Sequence, residues 1–444
     1  FEKKHVGHNI IREEDMINQL PDSLIYEILF NLPTEDVVKT SLLCRRWRYV
    51  WQSVPGLDLV INGFIKNYDP KFDFLDRFID LNYYLCLQRV KLRYVGYGQN
   101  YRIKTSMNTV IKQKIQHLDV GSNSRYAYDR LEIPPTIYTS CERLVSLKLY
   151  RANLPKSPDS VSLPCLKIMD LQQINFVDSL EMEKLVSVCP SLETLTTDKM
   201  YGVKVSSQSL LSFCLTKNGD GYLKTQVVMQ TPKLKYLKLN RHFIERIIIN
   251  DLSSIVMLNL DDLMYFGETL LSILKLISCV GDLTISFDIL QDICQFSKSK
   301  SLPKFHNLSI LSVTNMMAGS WESLLIFLES CPNLKSLVLG FQDYNWGVNF
   351  SDVPQCVLSS LEFVEVKARD VADMNKLGSY FMENSTVLEK FTLCLDYISE
   401  CDHVILGKLF TLPRRSNKCE VVVRSRKFGT YKPLSLFSGA DGFC

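Results

Sequence analysis

Residues 321–339 read WESLLIFLESCPNLKSLVL, and two periodicities meet in them. Trp321, Leu324, Leu325, Phe327 and Leu328 recur at the spacing of one helix face. Leu334, Leu337 and Leu339 then follow the pattern apolar, two variable, apolar, one variable, apolar. Between them, Cys331-Pro332-Asn333 reads as a turn. A helix, a turn and a short strand in so brief a span cannot bury their apolar face alone, so the segment predicts a unit that needs copies of itself alongside.

The copies are present. The same six-residue pattern opens at Leu87, Ile115, Leu144, Leu166, Leu192, Leu234, Ile255, Val280, Leu308, Leu334, Leu361 and Leu388. Successive openings lie 21 to 29 residues apart, except for the 42 between Leu192 and Leu234, where Leu211-Ser212-Phe213-Cys214-Leu215 can hold a degenerate copy. Met182, Leu185 and Val188, followed by Cys189-Pro190-Ser191, repeat the helix and turn ahead of Leu192. A period of roughly 20 to 29 residues is that of leucine-rich repeats, which this region resembles. The expectation is an α/β chain with a curved solenoid over residues 85–355 and a parallel sheet on its concave side. The Asn that usually follows the strand is mostly absent, which leaves the loops and the curvature open.

Length and composition agree with an extended architecture. At 444 residues the chain exceeds the roughly 250 to 300 over which one core keeps growing. A hydrophobic fraction of 46%, a charged fraction of 22% and a net charge of +3 describe a folded protein and give no impetus toward nucleic acid. No apolar run reaches the roughly 18 residues of a membrane span, and Phe1 to Glu14 are too polar for a signal peptide core. The fourteen cysteines contain no C-x-x-C and the six histidines do not cluster with them, so no metal site is expected. Cys141, Cys189 and Cys331 each stand three residues before a strand's first leucine, a place for a small buried hydrophobe in a reducing compartment.

Ahead of the repeats, residues 15–55 read DMINQLPDSLIYEILFNLPTEDVVKTSLLCRRWRYVWQSVP and break into three helical pieces. Pro21 opens the first, in which Leu24, Ile25, Ile28, Leu29 and Leu32 recur at helical spacing. Thr34 is a cap for the second, Glu35 and Asp36 suit its dipole, and Val37, Val38, Ser41 and Leu42 form its stripe. The third carries Trp47, Val50 and Trp51. So many large apolar side chains in some forty residues cannot all be buried internally, and a partner must cover some of them.

The segment resembles the F-box family at Leu20-Pro21, Glu27-Ile28-Leu29, Leu32-Pro33, Asp36, Ser41, Cys44-Arg45-Arg46-Trp47-Arg48 and Trp51. The resemblance implies a three-helix F-box over residues 15–60 that binds a Skp-type adaptor and, through it, a cullin and a RING subunit. It implies an adaptor-facing set of Leu20, Pro21, Leu24, Ile28, Leu32, Pro33, Val37, Val38, Cys44 and Trp47, while Leu42 and Val50 read better as hook core. Residues 356–424 resemble the FBD module of plant F-box proteins in Cys356-Val357-Leu358-Ser359-Ser360-Leu361-Glu362-Phe363-Val364 and Leu377-Gly378-Ser379-Tyr380-Phe381-Met382-Glu383-Asn384. Physically that segment is a cap over the last apolar face.

The implied function is the substrate-selecting subunit of a Skp–cullin–F-box ubiquitin ligase in the cytoplasm and/or nucleus, which leads to proteasomal degradation of what it binds. No nucleophile elbow, phosphate loop or H-E-x-x-H is present, so no catalysis by the chain itself is expected. Strand alternation puts Arg89, Lys91 and Arg93 on the concave face, where they suit either an acidic substrate segment or plain solvation. The loops with Tyr97, Tyr126, Tyr128, Tyr344 and Trp346 offer aromatic contact area, or pack on the helices beneath. No cofactor is expected. The family resemblance also admits a hormone co-receptor holding a small molecule and an inositol phosphate, and a scaffold without degradation remains a third reading.

Overall fold

A computed structural model of the protein describes residues 16–63, 70–81, 87–96, 100–124, 130–158, 161–178, 180–198, 202–216, 224–241, 243–265, 267–317, 321–342, 352–369, 374–396, 402–427 and 430–433. It divides into two compact units, one running to Leu166 with Ile174–Val177 added, the other comprising Lys167–Gln173 and the chain from Asp178 onward. Each is built on a parallel ladder of strands.

In the first unit the strands Gly56–Gly63, Arg89–Gly96, His117–Ser122 and Ser146–Tyr150 pair in that order, all parallel. In the second, the ladder runs Ile168–Gln172, Thr194–Thr197, Ser212–Thr216, Tyr236–Asn240, Met257–Leu260, Asp282–Ser286, Ile310–Met316, Ser336–Phe341, Phe363–Ala368, Lys390–Leu395 and Glu420–Lys427, and Thr430–Pro433 closes it antiparallel. Every one of the twelve predicted openings is followed two residues later by a strand. The degenerate copy is real, but its pattern opens one residue earlier than expected, at the buried Leu210.

Two recurrent hydrogen-bond arrangements explain this regularity. The amide of the opening residue bonds the carbonyl three positions back, as in Leu144 to Cys141 (3.0 Å), Leu192 to Cys189 (3.2 Å) and Leu334 to Cys331 (3.3 Å), which closes a turn that Pro190 and Pro332 favour in the last two. The carbonyl of the pattern's second residue then accepts two amides from the next repeat. Ser309 O takes Lys335 N (2.9 Å) and Ser336 N (3.0 Å), and Lys335 O takes Glu362 N (2.8 Å) and Phe363 N (2.9 Å). The apolar first, fourth and sixth positions point to the far side, where Leu334, Leu337 and Leu339 are wholly buried. Helices such as Trp321–Leu328 pack there, with Phe327 against Phe305 at 5.3 Å and Trp321 against Phe341 at 5.7 Å.

Cys141, Cys189 and Cys331 are buried at the turn as expected. The Cys189 thiol donates to Leu185 O at 3.1 Å and the Cys331 thiol to Phe327 O at 3.3 Å, so each caps the helix before it. Burial pushes the thiols of Cys141 and Cys189 up to about 12 and that of Cys331 well above its ordinary value.

Three features depart from the sequence reading. The first strand, Gly56–Gly63, lies partly in the span assigned to the F-box, and its Leu57, Leu59 and Ile61 are buried like those of any repeat. Between residues 203 and 265 a second parallel sheet, ordered Met264–Tyr265, Phe243–Ile249, Lys224–Gln230 and Val203–Ser206, occupies the place that helices take elsewhere. Its sequences are rich in β-branched residues, which favours strand over helix.

The missing Asn is replaced by backbone conformation. Arg151, Gln173, Arg241, Asp262 and Asn315 each stand seven residues after an opening, and each has φ between 51° and 58°, in the left-handed region. The cost of that region for a side-chain-bearing residue is offset by bonding between neighbours. Arg241 N donates to Asp262 O (3.1 Å) and its guanidinium pairs with the Asp262 carboxylate (3.3 Å). Asn315 donates to Asp262 (3.5 Å) and Gln342 to Asn315 (2.6 Å). Arg241→Val, which puts a β-branched side chain in the left-handed region, is expected to lower stability by about 1–2 kcal/mol, whereas Arg241→Asn stays near wild type. Thermal denaturation of both variants checks this.

Candidate functional site

The candidate site is built from residues 16–63. A 3₁₀ turn at Met16–Gln19 leads into α1 (Asp22–Phe30) and α2 (Thr34–Lys39), and 3₁₀ segments follow at Thr40–Leu42 and Trp47–Ser53. The third predicted helix is thus 3₁₀ rather than α. Pro21 and Pro33 sit immediately ahead of α1 and α2, where the absent N–H costs nothing. Thr34 is not the cap expected of it. Its hydroxyl instead accepts the Asp58 amide at 2.8 Å.

The core of the hook is Ile25, Leu29, Val37, Trp47, Val50 and Val54, with Leu20, Tyr26, Phe30, Cys44 and Trp51 packed around it. Asn18 ties its two ends together by accepting the Trp47 indole N–H at 2.6 Å and the Cys44 thiol at 3.6 Å. Arg46 pairs with Asp22 at 2.6 Å and bonds the carbonyls of Asn18 and Leu20.

This arrangement sorts the predicted adaptor-facing set. Leu24, Ile28 and Leu32 recur every four residues along α1 and beyond it, and remain 49%, 50% and 40% exposed. Pro21 and Pro33 are exposed, and Leu20, Val38 and Cys44 half-buried. Val37 and Trp47 are each only 4% exposed, so they hold the hook together and offer no contact surface. Leu42 shows the opposite correction. Expected in the core, it is 85% exposed, and Leu43 beside it 67%, while Val50 is buried as expected. Helical spacing could not place Leu42 and Trp47, because the short 3₁₀ segments that carry them turn with a different period from α-helix, and it could not tell which side of the six-residue α2 would face the hook's core.

The hook is attached to the first strands through particular side chains. The Phe30 ring lies against Gly56, where a Cβ would come within 2.9 Å of it, and the Arg89 guanidinium lies over the same ring, 4.0 Å from its centroid. Glu35 pairs with Lys71, and Trp51 stacks near Phe78 with centroids 6.4 Å apart.

Arg89 is therefore part of this attachment. Lys91 pairs with Asp58 at 2.8 Å and Arg93 with Asp119 at 2.7 Å, and Asp58, Lys91, Asp119 and Lys148 stand side by side in register. The basic strand read from the sequence is one line of an alternating charge array, since its acidic partners come from neighbouring repeats. Tyr97, Tyr126, Tyr128, Tyr344 and Trp346 lie outside the described residues. Among the described residues no group of three His, Cys, Asp or Glu side chains is arranged to hold a metal, and no helix is long and apolar enough to cross a membrane.

Farther along, Asp282 faces outward between Met257 and Ile310. Partial burial raises its carboxyl above the ordinary range.

A helical module with a finished core and an uncovered apolar stripe, attached to leucine-spaced repeats, defines a two-part repeat protein. Comparison with known proteins finds the same two parts. Residues 17–58 match the F-box domain, 104–268 the leucine-rich repeats described for FBD-associated F-box protein At5g56370, and 349–393 the FBD. The chain is 81% identical to putative F-box/FBD/LRR-repeat protein At1g16940 of Arabidopsis thaliana, over the full length of both. It is 41% identical to F-box/LRR-repeat protein 13 of the same plant over 95% of this chain and 99% of that one. The chain belongs to the F-box/FBD/LRR-repeat family.

Two predictions follow from the burial pattern. Trp47→Ala is expected to cost about 3–5 kcal/mol and melt the hook, whereas Leu42→Ala leaves it intact; near-ultraviolet circular dichroism distinguishes them. For Asp282, the folded state holds its proton more tightly than the unfolded chain does, so ionisation at neutral pH weakens the fold. Asp282→Asn should therefore raise the melting temperature at pH 7, with the gain fading as pH falls toward the unfolded value near ~3.9.

Proposed function

We propose that the protein is the substrate-selecting subunit of a Skp–cullin–F-box ubiquitin ligase. The hook docks on a Skp-type adaptor, which brings the cullin and the RING subunit. The repeats hold the protein to be ubiquitinated, and the assembly works in the cytoplasm and/or nucleus. The chain contributes proximity rather than chemistry, raising the effective concentration of substrate lysines near the loaded conjugating enzyme. The buried thiols of Cys141, Cys189 and Cys331, held protonated, are unsuited to serve as nucleophiles in their own right.

One observation carries this reading. Leu24, Ile28 and Leu32 are uncovered on a hook whose own core is already complete, and apolar side chains recurring along one helix face are how a helix enters a partner's groove. Family membership supports the choice of partner. The small-molecule co-receptor reading draws less support, because Lys91 and Arg93 are already matched by carboxylates of neighbouring strands.

The test is co-purification with a Skp-type adaptor. Leu24→Asp with Ile28→Asp should weaken adaptor binding several-hundredfold, at roughly 2 kcal/mol for each anchor lost, with no change in melting temperature. In cells the same double variant should trap proteins that wild type delivers for degradation. An adaptor that never binds, or that binds both forms equally, would sink the proposal.

A further inference from the structure

The exposed sheet face of the second unit carries a groove near its C-terminal end, about 190 Å³ in volume and lined by Ser336, Phe363, Glu365, Lys390, Thr392 and Arg424. Strand register explains its form. Ser336, Phe363, Lys390 and Glu420 stand in one row across four strands, Val338, Glu365, Thr392 and Val422 in the next, and Gly340, Lys367, Cys394 and Arg424 in the third. Small side chains at Ser336 and Thr392 leave a low floor between the half-uncovered Phe363 ring and the long Arg424 side chain.

The charges of this groove do not balance internally. Glu365 is matched by Lys367 at 3.2 Å and Lys390 by Glu420 at 3.4 Å. No carboxylate pairs with Arg424 among the described residues, and its Nε is buried without a hydrogen-bond acceptor. That Nε lies out of reach of solvent, so an incoming carboxylate meets the terminal nitrogens, whose planar fork suits its two oxygens.

We propose that this groove is a docking site for a peptide segment of a partner protein that carries an Asp or Glu carboxylate next to an apolar side chain. The carboxylate takes Arg424, and the apolar neighbour lies on Phe363. The volume fits one or two side chains and is below the few hundred Å³ of a small-molecule pocket. A phosphate dianion fits less well, because a single unmatched cation would face two negative charges with Glu365 in the same lining. Aromatic and arginine side chains set in partly desolvated surroundings are also the residues that dominate protein interfaces. The proposal rests on the reading of the repeats as the protein-capturing half of the molecule.

A phage-displayed random heptapeptide library, panned on the immobilised full-length chain, tests it. Wild type should enrich peptides with Asp or Glu beside Leu, Ile or Phe. Arg424→Gln should lose that enrichment, and Phe363→Ser should lose the apolar preference. A synthetic selected peptide should weaken at least tenfold when its Glu is replaced by Gln. Melting curves check that the variants fold; Arg424→Lys, which keeps the charge but not the two-nitrogen fork, serves as the second substitution. No acidic enrichment on wild type, or the same enrichment on Arg424→Gln, overturns the proposal, and tighter binding of a phosphoserine version overturns the choice of carboxylate. Adaptor retention is scored separately, so its loss would count against the ligase reading while the peptide result stands or falls by itself.

Discussion

The rest of the structure depends on a main-chain carbonyl, recurring in most of the described repeats, that accepts two amides from the next. Gln116 O receives Val145 N and Ser146 N in the first unit, and Val256 O receives Gly281 N and Asp282 N in the second, each at 2.7 to 3.0 Å. Parallel strands usually hold each other through evenly spaced, slanted bonds that tolerate sliding. A doubly accepting carbonyl at the strand's entrance fixes the register before the ladder begins. Because register has period two, this decides which side chains enter the core and which form the exposed face. The candidate groove at Arg424 and the charge array at Lys91 both follow from that choice.

The hook shares this scaffold. Pro55 O accepts Gln88 N and Arg89 N, so the residue that ends the hook is also the first to make the inter-repeat bond. Arg89, next in line, lies over Phe30, and Thr34 accepts the Asp58 amide. An apolar stripe presented on such a base has a defined orientation relative to the first strands. Truncating the chain at Pro55 would therefore remove part of the first repeat along with the hook.

Much of the fold was legible because its signal is local. Leucine spacing located twelve strands and placed the degenerate one to within a residue. The strand Gly56–Gly63 escaped because Leu57 and Leu59 lie in the F-box span, where apolar residues already had an explanation. The second sheet escaped because its neighbouring strands, such as Val203–Ser206 and Lys224–Gln230, belong to different repeats and their pairing leaves no local signal. At the candidate site, the helical spacing of Leu24, Ile28 and Leu32 made it legible that they share a face, and that face is uncovered. The site was misread at Val37, Trp47 and Leu42, whose exposure is decided by how short segments fold on one another. Arg89, Lys91 and Arg93 looked like free cations because Phe30, Asp58 and Asp119 lie far away in sequence.

Position eight of the repeats behaves differently from the shared carbonyl. The carbonyl is backbone and indifferent to residue type, but Arg241, Asp262 and Asn315, with Gln342 one place further on in its repeat, read one another by charge and by amide. Such a line works like the cuts of a key. A recombination event that exchanged or reversed neighbouring modules would preserve every main-chain bond and still set mismatched teeth together, so descendants of this chain can trade whole blocks more safely than single repeats.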